Sequence, residues 1–283
     1  MVKSMSAIEL KSRYEEAFKK GKWKTTYRHF SVIHYLTDIR MHVFFDYLKD
    51  LPYSSITLDF GCGIGGWSAF LQKTFGFEVI GVDISKEAIK RAKEMYSDEN
   101  TYFLVADCQH LPFREEAFDI IFSSDVLGHI PNVPKALEEM FMVLKKNGIV
   151  SMYSEASFDS DFFSRSLIKK LGFDPWARDI TFRHVSLYPL YKLINMINEV
   201  GFKAISYSSA FIFSYFATDP QAFYAGLKVL KNRCVVGILN RIALITRNFR
   251  QGRCLLFLLA YVEIKIFGKK CTGRGVFFKL TKK

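Results

Sequence analysis

Cysteine is scarce in this chain and never paired: positions 62, 108, 234, 254 and 271 are scattered through 283 residues with no C-x-x-C among them. An odd, dispersed set excludes a disulfide framework and a cysteine zinc site, and points to a reducing cytosol. Long apolar runs are missing too. The longest, Cys254 to Val262, falls well short of the ~20 residues that cross a bilayer. Lys and Glu interrupt the N-terminal segment throughout, so it lacks the shape of a secretory signal. Acidic residues nearly vanish toward the C-terminus. From Lys228 to Lys283 there are 14 basic residues and only Glu263 against them. Residues 1–156 hold 19 Lys+Arg and 21 Asp+Glu, a net of −2, whereas 157–283 hold 21 and 7, a net of +14. Such a basic half expects an anionic partner, a membrane surface or a nucleic acid. A cytoplasmic protein, peripheral at the inner face of a membrane, is the expectation.

What is present is a globular composition, 49% hydrophobic and long enough to bury a full α/β core. One stretch organises it: Ile56-Thr57-Leu58-Asp59-Phe60-Gly61-Cys62-Gly63-Ile64-Gly65-Gly66-Trp67. A β-branched apolar run ends in glycines and then resumes with helical spacing. That is a strand, a tight turn and a helix N-terminus, where unpaired N–H groups suit a phosphate or a carboxylate. Gly61, Gly63 and Gly66 satisfy G-x-G-x-x-G, a weak signal alone. Asp59, Gly61, Gly63 and Gly65 satisfy D-x-G-x-G-x-G as well.

The rest of the chain decides between them. After Pro52, strands are expected at 55–60, 78–83, 102–107, 118–123 and 149–153, alternating with helices at 66–76, 86–96 and 133–145 and a turn at Asn147-Gly148. Short apolar strands alternating with helices mean a parallel sheet covered on both faces, with its ligand at the carboxyl ends of the strands. Three of those ends are polar. Asp83 closes the second strand at a distance from the glycines where a carboxylate accepts both ribose hydroxyls. Asp107, followed by Cys108 and Gln109, closes the third and can accept an adenine amino group. Ser124-Asp125 closes the fourth. A single Asp at a strand end often does no more than cap the next helix; three in order behind a glycine turn make a nucleoside site.

Asp59–Gly65, Val82-Asp83-Ile84-Ser85, Ala106–Phe113, Phe118–Ile121 and Leu144–Gly148 together resemble the successive motifs of the class I S-adenosylmethionine-dependent methyltransferases, in the branch that acts on small molecules, quinones, lipids and glycans. The resemblance covers about 54–156 and, more weakly, 188–210. It implies an α/β fold, a Rossmann-like seven-stranded, mostly parallel sheet with helices on both faces, plus a helical insertion before the last strand. It implies S-adenosylmethionine as cofactor. Asp59 with Gly61, Gly63 and Gly65 would shape the methionine pocket, Asp83 would bind the ribose, and Asp107 with Cys108 would frame the adenine; Cys62, Ile84, Gln109 and Ser124 belong to the same cofactor-binding set. The expected organisation is an N-terminal helical cap at 1–53, the methyltransferase domain at 54–210 and 275–283 with an acceptor-side insertion at 157–187, and a basic, apolar helical insertion at 211–274.

Two histidines stand where chemistry is expected. His129, in Ser124-Asp125-Val126-Leu127-Gly128-His129-Ile130-Pro131, follows the fourth strand. Similar enzymes often carry Leu-Glu-His here, and Gly128 replaces the acidic residue. His184 precedes the helix expected at 189–200. Each reads either as a loop-ordering residue or as a base or substrate contact. His29, His34 and His42 read as packing or surface residues, and no metal site is expected. Residues 203–210 and 275–280 supply the closing strands, the last pairing antiparallel at the sheet edge. Apolar and basic residues alternate through 211–274, the composition of an interfacial helix. A lipid-linked, quinone-like or glycan acceptor near a membrane is the favoured substrate. RNA methylation and a non-catalytic partner-binding role are the alternatives, although nucleic acid lacks a recognisable binding module. Tyr188 and Lys192 make the Y-x-x-x-K spacing of short-chain dehydrogenases, but the N-terminal T-G-x-x-x-G-x-G of that family is absent.

Overall fold

A computed structural model describes residues 11–12, 15–16, 18–19, 35–36, 38–156, 184–210, 250–269 and 275–282. Most of the expected acceptor-side insertion, most of 211–274, and Trp23, Tyr27, His29 and His34 therefore lie outside the described residues. Seven strands form one sheet: β1 Ile56–Phe60, β2 Glu78–Asp83, β3 Thr101–Val105, β4 Phe118–Ser124, β5 Leu144–Glu155, β6 Phe202–Ala210 and β7 Gly275–Lys282. Their order is β3-β2-β1-β4-β5-β7-β6. All described pairings are parallel except those of β7, which runs antiparallel to both β5 and β6. The helices are α1 Ile39–Leu48, α2 Gly66–Phe75, α3 Lys86–Tyr96, α4 Val133–Val143, α5 Leu190–Val200 and α6 Arg250–Phe267.

The sheet carries an apolar layer on each face. On one, Leu137 and Met140 of α4 and Leu193 and Ile197 of α5 pack with Ile121, Val150 and Phe278. On the other, Phe44 of α1, Phe70 of α2 and Ala260 of α6 close over Phe122 and Phe277. Phe44 meets Trp67, Phe122 and Phe277 edge-on, which locks α1 across the centre of the sheet. His42, on the same helix, lies edge-on against Phe257 and Tyr261 of α6, a packing role as expected.

Three expectations need correction. β7 is not the edge strand. It inserts between β5 and β6 and leaves β6 at the edge, because antiparallel pairing on both sides lets β7, apolar on both faces, bury Val276, Phe277, Phe278 and Leu280. Asn147-Gly148 is not a turn before β5. It lies inside that strand, where the register with β4 shifts between Phe118 and Ile120, and Asn147 takes a φ of 60°. β3 ends at Val105 rather than Asp107, so Asp107 stands in the turn beyond it, bridged to His110.

Candidate active site

Two groups of polar side chains lie at the carboxyl ends of the strands. The first surrounds the glycine turn. Gly63 and Gly65 take φ values of 55° and 80°, which a side chain would strain. A Cβ on Gly63 would meet nothing nearer than the Phe18 ring at 3.8 Å, so the turn leaves a recess there with Phe18 at its far wall. Asp83 closes the recess: one carboxylate oxygen accepts the Gly63 N–H at 2.9 Å and the other the Ser85 N–H at 2.9 Å. Burial nonetheless pushes Asp83 up to about 6, more than those two hydrogen bonds pull it down. Asp59, 2% exposed, accepts the Ser68 hydroxyl at 2.6 Å, and burial raises it to about 7.

The remaining residues divide. Ser124 Oγ is buried at the end of β4 without a hydrogen-bond partner, as a ligand-facing hydroxyl would be. Cys62 and Cys108 are buried, and burial holds both thiols up. Ile84 is half-buried beside Asp83. Gln109 is otherwise employed: its amide nitrogen donates to Asp107 at 3.2 Å and its oxygen accepts the Asn132 N–H at 3.1 Å, tying the β3 turn to α4. An adenine contact by Gln109 would have to break that tie. Glu15 caps α3 from the N-terminal segment, accepting the N–H groups of Lys86 and Glu87 at 2.6 and 3.1 Å. With Phe18 over Gly63, this segment folds onto the glycine turn rather than away from it.

The second group joins β4, β5 and the segment before α5. Leu127–His129 is a short 3₁₀ turn, and the Gly128 carbonyl accepts the N–H groups of Val185 and Ser186 at 2.8 and 3.1 Å. That docking brings His184 against His129, rings stacked at 4.5 Å, and places its Nε2 3.1 Å from Glu155 Oε1. Burial pushes the Glu155 carboxyl up, but the His184 hydrogen bond and the electrostatic attraction of the neighbouring imidazoles outweigh it and hold the group below the usual range. Burial lowers His129 to about 4, so that ring is neutral at neutral pH. Nearby, Arg40 of α1 pairs with Asp125, itself at a φ of 62°, and lies over the Tyr153 ring.

The sequence placed His129 and His184 separately; the fold brings them together. It missed Glu155 and Arg40. Glu155 ends β5 just as Asp83 ends β2, so the strand-end rule would have found it, whereas nothing in the pattern of α1 marks Arg40. Gly128 also gains a reason. A Cβ there would lie 2.6 Å from His184 Cδ2 and 3.3 Å from Glu155 Oε2. In this chain the His184 ring fills the space a side chain at 128 would take. Gly128→Ala should therefore expel His184 and cost about 1–3 kcal/mol of stability. Binding of S-adenosylhomocysteine should stay within about threefold, because the glycine turn is untouched. Thermal unfolding and calorimetry of the variant check both. Tyr188 and Lys192 are also accounted for: the Lys192 ammonium sits 5.0 Å from the centre of the Tyr188 ring, engaged with its neighbour at the start of α5.

Residues 58–152 match the family described as "Methyltransferase domain". They form a class I S-adenosylmethionine-dependent methyltransferase domain. This methyltransferase domain is similar to 2-methyl-6-phytyl-1,4-hydroquinone methyltransferase of Synechocystis, 32% identical over 136 residues, 46% of this chain and 42% of that protein. It is also 35% identical to mouse arginine-hydroxylase NDUFAF5, over 37% of this chain and 29% of that one. The chain thus spans less than half the length of these curated relatives. Among solved structures, phosphoethanolamine N-methyltransferase 2 of Haemonchus contortus in complex with S-adenosyl-L-methionine superposes with a TM-score of 0.54 at 16% identity, covering 95% of this chain and 60% of that one. That likeness is one of fold. The methyltransferase domain's own residues fit the cofactor: the recess at Gly63, the Asp83 carboxylate at its mouth and the unsatisfied Ser124 hydroxyl are the groups a nucleoside with an amino-acid tail requires.

Proposed function

We propose that this protein is an enzyme that transfers the methyl group of S-adenosylmethionine to an oxygen of a lipid-linked, quinone-like or glycan acceptor at a membrane surface. The observation that carries the reading is the intact Gly63–Asp83 recess within a methyltransferase domain. Asp83 would hold the ribose hydroxyls, with Ser124 and the Asp107 turn toward the adenine and the Gly63–Gly65 backbone at the amino-acid end. When bound, the cofactor supplies an electrophilic methyl on sulfur, a good leaving group, so positioning and exclusion of water carry most of the catalysis. His129, Glu155 and His184 would face the acceptor, whose hydroxyl must lose a proton as the bond to carbon forms. The quinol that the Synechocystis relative's name specifies is an acceptor of this chemical kind.

The membrane part rests on α6. Its inner face packs Phe257, Ala260, Tyr261 and Ile264 into the core. Its outer face exposes Leu255, Leu258, Leu259, Val262 and Ile266, which recur at helical spacing, with Lys265 and Lys269 exposed beside them. No described helix is long and apolar enough to cross a membrane. An apolar stripe bordered by lysines, in a half of the chain with 21 basic against 7 acidic residues, suits an anionic bilayer surface. The location proposed is accordingly the cytoplasmic face of a membrane, with a bilayer rather than a nucleic acid as the anionic partner.

One observation favours a second reading, the similarity to an arginine-hydroxylase: the domain would keep the pocket for other chemistry or for partner binding. Calorimetry with S-adenosylmethionine, S-adenosylhomocysteine and NADH, with and without anionic vesicles, tests the proposal. Micromolar binding of both sulfur nucleosides and none of NADH is expected, with co-sedimentation on phosphatidylserine vesicles that Leu258→Glu abolishes. Release of S-adenosylhomocysteine on addition of a quinol or lipid-linked acceptor separates an enzyme from a binder. Absence of nucleoside binding sinks the reading, and self-association through α6 in sedimentation, without vesicle binding, removes its membrane part.

A further inference from the structure

We infer that His129, Glu155 and His184 form a site for one divalent transition-metal ion. Each offers one ligand atom, and these atoms all lie within 4.8 Å of one another. Two imidazoles and a carboxylate form a donor set that binds zinc, iron or cobalt and leaves a coordination position open. The calcium and magnesium ions, which demand oxygen-rich cages, are not suited to it.

Three features single this cluster out from a chance meeting of polar residues. Glu155 is buried at the end of β5, and its Oε2 has no hydrogen-bond partner. A buried carboxylate oxygen left unsatisfied costs free energy unless something cationic meets it. Arg40, the neighbouring guanidinium, is paired with Asp125 instead. The second feature is that the ligands come from three separately fixed pieces of backbone. β5 carries Glu155, and the 3₁₀ turn carries His129. The segment that donates two N–H groups to Gly128 carries His184. Third, the lack of a side chain at Gly128 is what lets His184 settle beside Glu155, since a Cβ there would lie 2.6 Å from His184 Cδ2 and 3.3 Å from Glu155 Oε2.

As described, the two rings stack with an interplanar angle of 22°, and His184 Nε2 is hydrogen-bonded to Glu155. Metal binding replaces that hydrogen bond by two coordinate bonds and turns the rings about their Cβ–Cγ bonds until the lone pairs converge. The coordinating His184 nitrogen must present its lone pair, so any proton it carries in that hydrogen bond leaves it, to the other ring nitrogen or to solvent. Toward a hydroxylated acceptor, the open position would bind the oxygen and acidify it, doing the work otherwise asked of a base. That role rests on the methyl-transfer reading; the site itself does not.

The test uses the full chain, stripped with a chelator and titrated with Zn²⁺ by calorimetry, then with Co²⁺ followed by visible absorption. One equivalent of zinc is expected. X-ray absorption of the zinc-loaded protein should show a nitrogen/oxygen shell at about 2.0–2.1 Å with imidazole scattering and no sulfur at about 2.3 Å. Glu155→Gln and His184→Asn should each weaken binding at least tenfold while S-adenosylhomocysteine still binds, which confirms their fold. No stoichiometric binding, a sulfur-containing shell, or binding unchanged in folded variants overturns the inference. Because the wild-type spectrum reports the ligand types, a sulfur-containing shell or one without imidazole overturns the inference even if a variant fails to fold. Because S-adenosylhomocysteine is titrated separately, failure of the cofactor reading is told apart from failure of the metal site.

Discussion

Asp83→Ala should weaken S-adenosylhomocysteine binding by at least 100-fold, or about 2.7 kcal/mol. The carboxylate does two things at once. It is the acceptor a ribose requires, and it holds the Gly63 and Ser85 N–H groups that shape the turn, each at 2.9 Å. Alanine leaves both donors without their partner, and an unsatisfied buried N–H costs about 1–3 kcal/mol. Asp83→Asn is the informative companion. It keeps one acceptor oxygen and most of the shape, and removes the titration. Burial raises Asp83 to about 6, so in the wild type the ionised fraction falls to roughly a tenth by pH 5, and affinity should fall about tenfold between pH 7 and 5. In Asp83→Asn the profile should be flat. If it keeps the wild-type slope, the proton belongs to another group and Asp83 is not the ribose acceptor.

That site was legible because its residues obey local rules. A strand, three glycines and an acidic residue at the next strand's end are adjacent or evenly spaced, and the backbone geometry they specify is short-range. That β1 to β5 run parallel follows from the same alternation, whereas their order β3-β2-β1-β4-β5 does not. What the sequence did not disclose is tertiary. β7 looks like a terminal edge strand, and only pairing energy over its whole length puts it between β5 and β6. Gln109 looks like an adenine contact until α4 is in place to receive its oxygen. His129, Glu155 and His184 lie far apart along the chain, with unremarkable neighbours. They converge because β4 and β5 are adjacent and because a glycine carbonyl captures the backbone after His184. Gly128 is where the two levels meet. It departs from the acidic residue similar enzymes often carry, and the fold shows a histidine and a glutamate from elsewhere filling that place.

Asp59→Asn should stabilise the ligand-free protein at pH 8, by about 1–3 kcal/mol, and destabilise it at pH 4 by about 1–3 kcal/mol. Asp59 is 2% exposed, and its hydrogen bond to Ser68 at 2.6 Å does not offset the burial that raises it to about 7 from 3.8. A shift of about three units corresponds to a cost on the order of 4 kcal/mol for carrying the charge in the folded state. The direction follows from proton linkage. Between pH 3.8 and 7 the folded chain binds the proton and the unfolded chain does not, so stability is full below the lower value and declines as pH rises to the upper one. Asparagine abolishes the decline, less about 1–3 kcal/mol for an amide whose donors find no partner. Thermal unfolding should show the variant melting some 3–8 °C above the wild type at pH 8 and below it at pH 4, with the curves crossing between about pH 4.5 and 6. Where Asp83 titrates, near 6, Asp59 is mostly protonated, so the acid loss of S-adenosylhomocysteine affinity should stay in place in this variant. A variant less stable than the wild type at both pH values would mean that Asp59 is held by contacts worth more than its buried charge costs. Retaining so costly a carboxylate is what a pocket built for a cationic sulfonium would do, and the cofactor comparison measures it: Asp59→Asn should lose more affinity for S-adenosylmethionine than for the neutral thioether of S-adenosylhomocysteine.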